Sequence, residues 1–261
     1  MTRDHDTKRA IRARMKVTGE RYTVARAALV AAPATTGGTV STSTIQDELA
    51  ERGFVIIRSF ATGERLDRLV ATVDEIIART VAEKLEEGER RREAGETGFI
   101  DVWNGAPGGI VERVTDHPDV RWLLDDQRLR PFITPNRVTA IAALPGFGHE
   151  GLHQNPHEGY ASALSLSPTR ADTGAFRAIP GSHRKAPQFD PMAGAMAPHP
   201  DEVRVETDPG DLLVYDALLW KSGTFNGGTE PLKVLAIEGH EPWSDEEVAR
   251  WMATGERAAR S

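Results

Sequence analysis

Cysteine is absent from all 261 residues. Disulfides, thiolate zinc sites, iron–sulfur ligation and cysteine nucleophiles are thereby excluded, and the composition suits a reducing cytoplasm. Long apolar runs are missing too. No stretch approaches the roughly 18 residues of a membrane-spanning helix, and the N-terminus lacks the charged-then-apolar pattern of a signal peptide. A cytoplasmic protein with no membrane partner is expected. Positive charge is in deficit, with 32 Lys and Arg against 39 Asp and Glu for a net charge of −7. The phosphate backbone rewards a basic face, so nucleic acid is not the expected partner. What is there, 39% hydrophobic and 27% charged residues, is ordinary for a globular chain long enough to bury a core.

Three stretches organise the chain. Residues 1–32 read as a basic helical appendage: Lys8, Arg9, Arg12, Arg14 and Lys16 crowd one helical stretch, Thr18-Gly19 interrupts it, and Tyr22 to Ala32 reads as a second helix. Such a helix is usually a solvated face, with a docking element as the alternative. Residues 33–43, rich in Thr, Ser and Gly, read as a linker. The main domain spans 44–261. Ser43 with Gln46 fits a capping box for a helix ending at Arg52, and the strand-like FVIIRSF follows Gly53. From Gly63, Leu66, Leu69, Val70, Val73, Ile76, Ile77 and Val81 recur at helical spacing. The charged tail 83–96 is expected to be a solvated loop, and a further helix is expected over Pro118–Asp126.

Beyond Arg137 the texture becomes β-prone. The runs VTAIAAL, YASALSL, GAFRAIP, EVRVET, DLLVYDALLW and LKVLAIEG are separated by Gly, Pro and Asp. The expected fold is mainly β with flanking helices: a jelly roll that leaves an open mouth for a ligand. Ser244 with Glu247 is expected to cap a last helix through Trp251.

Four motifs carry a resemblance. LPGFGHEGLHQN (144–155), AIPGSHR (178–184), PGDLLVYDALLWKSGTFNGG from Pro209 and PLKVLAI from Pro231 occur in this order. Over roughly residues 44–242 the chain resembles the phytanoyl-CoA dioxygenase-like family of iron(II)/2-oxoglutarate oxygenases. The resemblance implies a double-stranded β-helix and the modification of small molecules. It also implies a His-x-Asp on one strand, a second His on a later strand, and a basic residue about a dozen positions on. Here His153 is present, Asn155 takes the carboxylate position, Lys221 takes the second His position, and Lys233 is the basic residue. Ser222 and Asn226 match the pattern beside Lys221, although Asn226-Gly227-Gly228 is equally good turn chemistry.

The expected site follows from those exchanges. Two imidazoles and a carboxylate hold non-haem iron. Asn155 offers an uncharged amide, and Lys221 would ligate only after losing a proton, at a cost of roughly 4–5 kcal/mol at pH 7. No metal and no cofactor are therefore expected; iron(II) and 2-oxoglutarate belong to the oxygenase alternative. His149, His153 and His157 recur every four residues beside Glu150 and Glu158, but Gly148, Gly151, Pro156 and Gly159 argue against the helix that would align them. Lys221, His153 and Asn155 are the candidate catalytic residues: the ammonium supplies positive charge to an anionic group or a developing oxyanion, His153 is its acid–base partner, and Asn155 is an amide donor. Lys233, Asn226 and Ser222 are the candidate substrate-binding residues for a small, acidic molecule. A chain that binds without catalysis, its barrel held by Lys221, is the alternative from another class.

Overall fold

The computed structural model describes residues 42–93, 109–146, 151–155, 158–188 and 197–239. The basic appendage, nearly all of the linker and the helix expected over Ser244–Trp251 lie outside the described residues.

α1 (Thr42–Arg52) buries Ile45 and Leu49, four residues apart on one face. It ends at Gly53, whose φ is +81° and whose N–H donates to the Leu49 carbonyl at 2.9 Å. A Cβ there would meet the His183 ring at 2.5 Å, so the PGSH turn packs directly on this helix end. α2 (Gly63–Glu93) buries Leu69, Val73, Ile76 and Ile77. It continues through residues 83–93, where the sequence suggested a loop. Glu, Lys, Arg and Leu are all good helix formers, and the lone Gly88 costs only about 1 kcal/mol. α3 (Trp122–Asp125) is one turn, shorter than expected, preceded by turns over 118–121.

The described strands are β1 (Phe54–Ile57), β2 (Gly109–Arg113), β3 (Arg137–Ala143), β4 (Tyr160–Ser165), β5 (Phe176–Ala178), β6 (Val203–Val205), β7 (Leu212–Asp216), β8 (Lys221–Gly223) and β9 (Leu232–Glu238). They form a six-stranded sheet in the order β1-β7-β4-β9-β3-β2 and a three-stranded sheet in the order β6-β5-β8, paired antiparallel throughout. This is a double-stranded β-helix. The run DLLVYDALLW does not stay one strand. Asp216 accepts the Leu218 N–H on its side chain at 2.8 Å and the Leu219 N–H on its carbonyl at 3.0 Å, and this turn carries the chain from the large sheet to the small one.

Strand alternation sorts side chains between two layers. Leu212, Val214, Leu235 and Ile237 face the helical side and pack with Leu69, Val73 and Ile76 in the larger core. Burying each such side chain stabilises the fold by about 1.5–3 kcal/mol. Leu213 and Tyr215 face the other way and join Phe54, Ala178, Val205 and Leu219 between the sheets. Among the described residues no helix is long and apolar enough to cross a membrane.

Candidate functional site

The interior between the two sheets opens into a cavity of about 300 Å³. Ile141, Ala163, Phe176, Leu213, Leu232 and Val234 supply most of its apolar wall. Lys221, His153 and Tyr215 are the polar side chains beside it on which the site turns, and Thr224 borders it as well.

His153 and Lys221 are brought together by backbone pairing. Each donates its N–H to the other's carbonyl at 3.0 Å, which makes them direct cross-strand neighbours with side chains on one face. Asn155 is fixed two residues on, its N–H donating to the Ala217 carbonyl at 2.8 Å. The Lys221 Nζ lies 2.8 Å from His153 Nε2 and 2.6 Å from Asn155 Oδ1. His153 Nδ1 is 3.0 Å from the Gly151 carbonyl. A carbonyl only accepts, so this contact assigns the ring hydrogen to Nδ1 and leaves the Nε2 lone pair to take an N–H of Lys221. The residue is 6% exposed, so the ammonium is held almost wholly away from bulk water.

Tyr215 completes the cluster. Its ring centroid is 5.9 Å from the Lys221 Nζ, and its hydroxyl shares a hydrogen bond with the Asn155 side chain. Burial holds the phenol far above the ordinary tyrosine range, the charge of Glu238 adds to this, and the Asn155 hydrogen bond opposes it. Tyr215 and the hydroxyl groups of the cavity were not singled out from the sequence. The signal available for Tyr215 was the two-residue alternation of β7, which puts Tyr215 on the same inward face as Leu213 and Val214 on the opposite one. Ser165, Thr169 and Thr207 gave no signal: their hydroxyls meet only in the fold, Ser165 to Thr207 at 2.6 Å and Thr169 to Thr207 at 2.9 Å. Thr224 is 7% exposed, and its hydroxyl has no hydrogen-bond partner among the described residues.

The expected substrate-binding residues separate. Ser222 borders the cavity beside Lys221, and its hydroxyl donates to the Gly223 carbonyl at 3.0 Å. Asn226 is buried as a turn clamp: its amide donates to the carbonyls of Ala143 and Glu230 at 2.8 and 2.9 Å and accepts the Gly228 N–H at 3.0 Å. It is not among the described residues that line the cavity. Lys233 points away. On β9, Leu232 and Val234 face the cavity, and the intervening Lys233 reaches the helical side, where Nζ lies 2.7 Å from Asp74 Oδ1 on α2. The physical reason is the two-residue period of a strand, which turns neighbouring side chains to opposite faces.

Among the described residues, the groups at this site are not the donor set that holds non-haem iron. A facial site needs two imidazoles and a carboxylate converging on one cation. Here the cation between His153 and Asn155 is the ammonium of Lys221, and the His153 lone pair is already engaged by it. Among the described residues no group of three or more His, Asp or Glu converges to hold a metal. Glu158 is exposed, and His183 lies under the α1 terminus with Nε2 3.3 Å from the Ala50 carbonyl. His149, Glu150 and His157 lie outside the described residues.

A sequence model of the phytanoyl-CoA dioxygenase (PhyH) family matches residues 49–229. Among solved structures, EvdMO1 is 20% identical with a TM-score of 0.55 over 77% of this chain, which spans 50% of the EvdMO1 chain. HygX from Streptomyces hygroscopicus, solved with nickel and 2-oxoglutarate bound, is 16% identical with a TM-score of 0.53 over 76% of this chain and 86% of its own. AviO1 from Streptomyces viridochromogenes Tue57 is 18% identical with a TM-score of 0.52 over 78% of this chain and 97% of its own. At these identities the likeness is one of fold.

Proposed function

This chain belongs to the phytanoyl-CoA dioxygenase family, and we propose that within that fold it is a cytosolic small-molecule tailoring enzyme that works without iron, through Lys221 and His153. One observation carries the reading: an ammonium donating to His153 Nε2 at 2.8 Å and to Asn155 Oδ1 at 2.6 Å, at the wall of an apolar cavity. In this position Lys221 offers a fixed positive charge to a substrate oxygen. Charge developing on that oxygen is stabilised more strongly than in water, because the surroundings are apolar and the donor is already oriented. His153 keeps the ammonium aimed and is the adjacent site to which its proton can move. Asn155 orients the same ammonium and links it to the Tyr215 hydroxyl.

Protein purified without a histidine tag and supplied with iron(II) tests the reading. It should retain well under one equivalent and form no succinate from 2-oxoglutarate. Chelator-treated protein should still transform a small-molecule substrate found by screening metabolite fractions, and Lys221→Met should abolish that turnover. Stoichiometric iron that is lost in His153→Ala would overturn the proposal in favour of the oxygenase reading. The reverse engineering is informative too: Asn155→Asp with Lys221→His rebuilds the two-imidazole, one-carboxylate face, and iron binding should return.

A further inference from the structure

The motif AIPGSHR (178–184) supplies none of the trio Lys221, His153 and Asn155, yet its backbone and one of its side chains hold the root of Lys221. We infer that Ser182 is a positioning residue for Lys221. The inference rests on the reading above that Lys221 carries the chemistry, and it adds what aims it. β8 begins at Lys221, which pairs with Ala178 at the end of β5. One residue earlier the ladder is continued by two further bonds. The Ile179 N–H donates to the Trp220 carbonyl at 3.0 Å, and the Trp220 N–H donates to the Ser182 hydroxyl oxygen at 2.9 Å. The chain has by then turned at Pro180-Gly181, so a side-chain oxygen stands where a strand carbonyl would be. Ser182 is 3% exposed, and a buried N–H that loses its acceptor is costly enough to shift.

Ser182 is itself held by α1. The last four carbonyls of a helix lack partners within it. Here the Leu49 carbonyl takes the Gly53 N–H at 2.9 Å, and the turn serves the other three. Gly181 N–H donates to the Arg52 carbonyl at 3.0 Å, Arg184 Nη2 donates to the Glu51 carbonyl at 2.8 Å, and His183 Nε2 lies 3.3 Å from the Ala50 carbonyl. The residues on both sides of Ser182 are thus fastened to one helix end, and Ser182 passes that rigidity to the start of β8. Lys221 needs it. Its Nζ ends a four-carbon stem, so a tilt at the root is magnified at the tip. Functional groups have to be held to within about 0.5 Å and 10–20°. The bonds at stake are those from Nζ to His153 Nε2 at 2.8 Å and to Asn155 Oδ1 at 2.6 Å.

Nitrogen NMR of the full chain, labelled with nitrogen-15 in histidine alone, tests this at a single pH. The Nε2 signal of His153, assigned by its disappearance in His153→Gln, reports whether an N–H is donated to that nitrogen. Lys221→Met should move it downfield, toward an imidazole nitrogen that accepts nothing. Ser182→Ala, checked for native circular dichroism, should move it in the same direction although Lys221 is still present. Ser182→Cys keeps the side-chain volume and offers only a weak acceptor, so it should do the same and serves if Ser182→Ala does not fold. Lys233→Ala, which loosens a contact on the helical side, should leave the signal in place. A His153 signal at its wild-type position in the natively folded Ser182 variant would overturn the inference, because a merely structural serine lowers Tm and moves nothing at His153. So would an unmoved signal in Lys221→Met, since no ammonium would then be held at that nitrogen. The readout needs no turnover, so it separates from catalysis. A protein that transforms nothing yet shows these shifts keeps this inference and ends the catalytic reading. Metal-free, Lys221-dependent turnover with a His153 signal that Ser182→Ala leaves unmoved does the opposite.

Discussion

Replacing Lys221 by Met removes the charge and keeps the length, and the outcome for stability is calculable in sign. The ammonium is 6% exposed, so folding strips it of water at a cost of several kcal/mol. Its hydrogen bonds to His153 at 2.8 Å and Asn155 at 2.6 Å return about 1.5–3 kcal/mol each. The Tyr215 ring at 5.9 Å adds about 0.5–1 kcal/mol. These terms nearly cancel. Breaking a buried ion pair costs about 3–5 kcal/mol because a lone charge is left behind, but the His153 imidazole and the Asn155 amide are neutral groups beside the cavity. Lys221→Met should therefore move stability by less than about 1.5 kcal/mol, or roughly 3–6 °C in Tm for a chain of this size. His153→Ala should be the more damaging change, since it keeps the ammonium buried and takes away a partner. The double variant should recover toward Lys221→Met alone, giving a coupling energy of about 1–2 kcal/mol. Thermal and urea denaturation of the four proteins measures the cycle. A loss above about 4 kcal/mol in Lys221→Met, or a double variant less stable than His153→Ala, would refute the reasoning and show that Lys221 is an indispensable strut.

Three further outcomes follow from single contacts. Lys233→Ala should cost about 0.5–1 kcal/mol by urea denaturation, because its partner Asp74 is half exposed and the pair is screened; Asp74→Ala should cost the same, and the double variant no more. Tyr215 holds its proton beyond the ordinary tyrosine pKa of about 10, so its contribution to stability is complete below that pH and is lost as pH rises through the higher folded value. Wild-type protein should thus lose stability more steeply than Tyr215→Phe in strong alkali, and the variant should lack the late step in phenolate absorbance. Gly210→Ala should prevent folding or cost more than about 4 kcal/mol, measured by yield and melting: φ is +88°, and a Cβ would sit 2.0 Å from the Ala61 carbonyl oxygen.

The family, the jelly roll and the trio His153, Asn155 and Lys221 were legible in the sequence because each depends on local pattern. Alternating apolar runs with turn residues between them specify strands, and short motifs in order specify where a cross-strand pair falls. Helical periodicity likewise located α2, although its charged end through Glu93 did not look helical once the apolar stripe stopped. What a linear pattern cannot carry is which face a strand residue takes relative to elements far along the chain. Lys233 sits about a dozen residues after Lys221, as the resemblance asks, yet the β9 register against β3 and β4 turns it to α2 and turns Leu232 and Val234 inward. Asn226 could have lined a cavity or clamped a turn, and the carbonyls of Ala143 and Glu230 decided for the clamp. Tyr215, Thr224 and the Ser165–Thr207 pair joined the cavity only when two sheets closed around it. By itself, the sequence determined which residues are available for chemistry. The closing of two sheets decided which of them share a space, because a one-residue step along a strand moves a side chain from one face to the other.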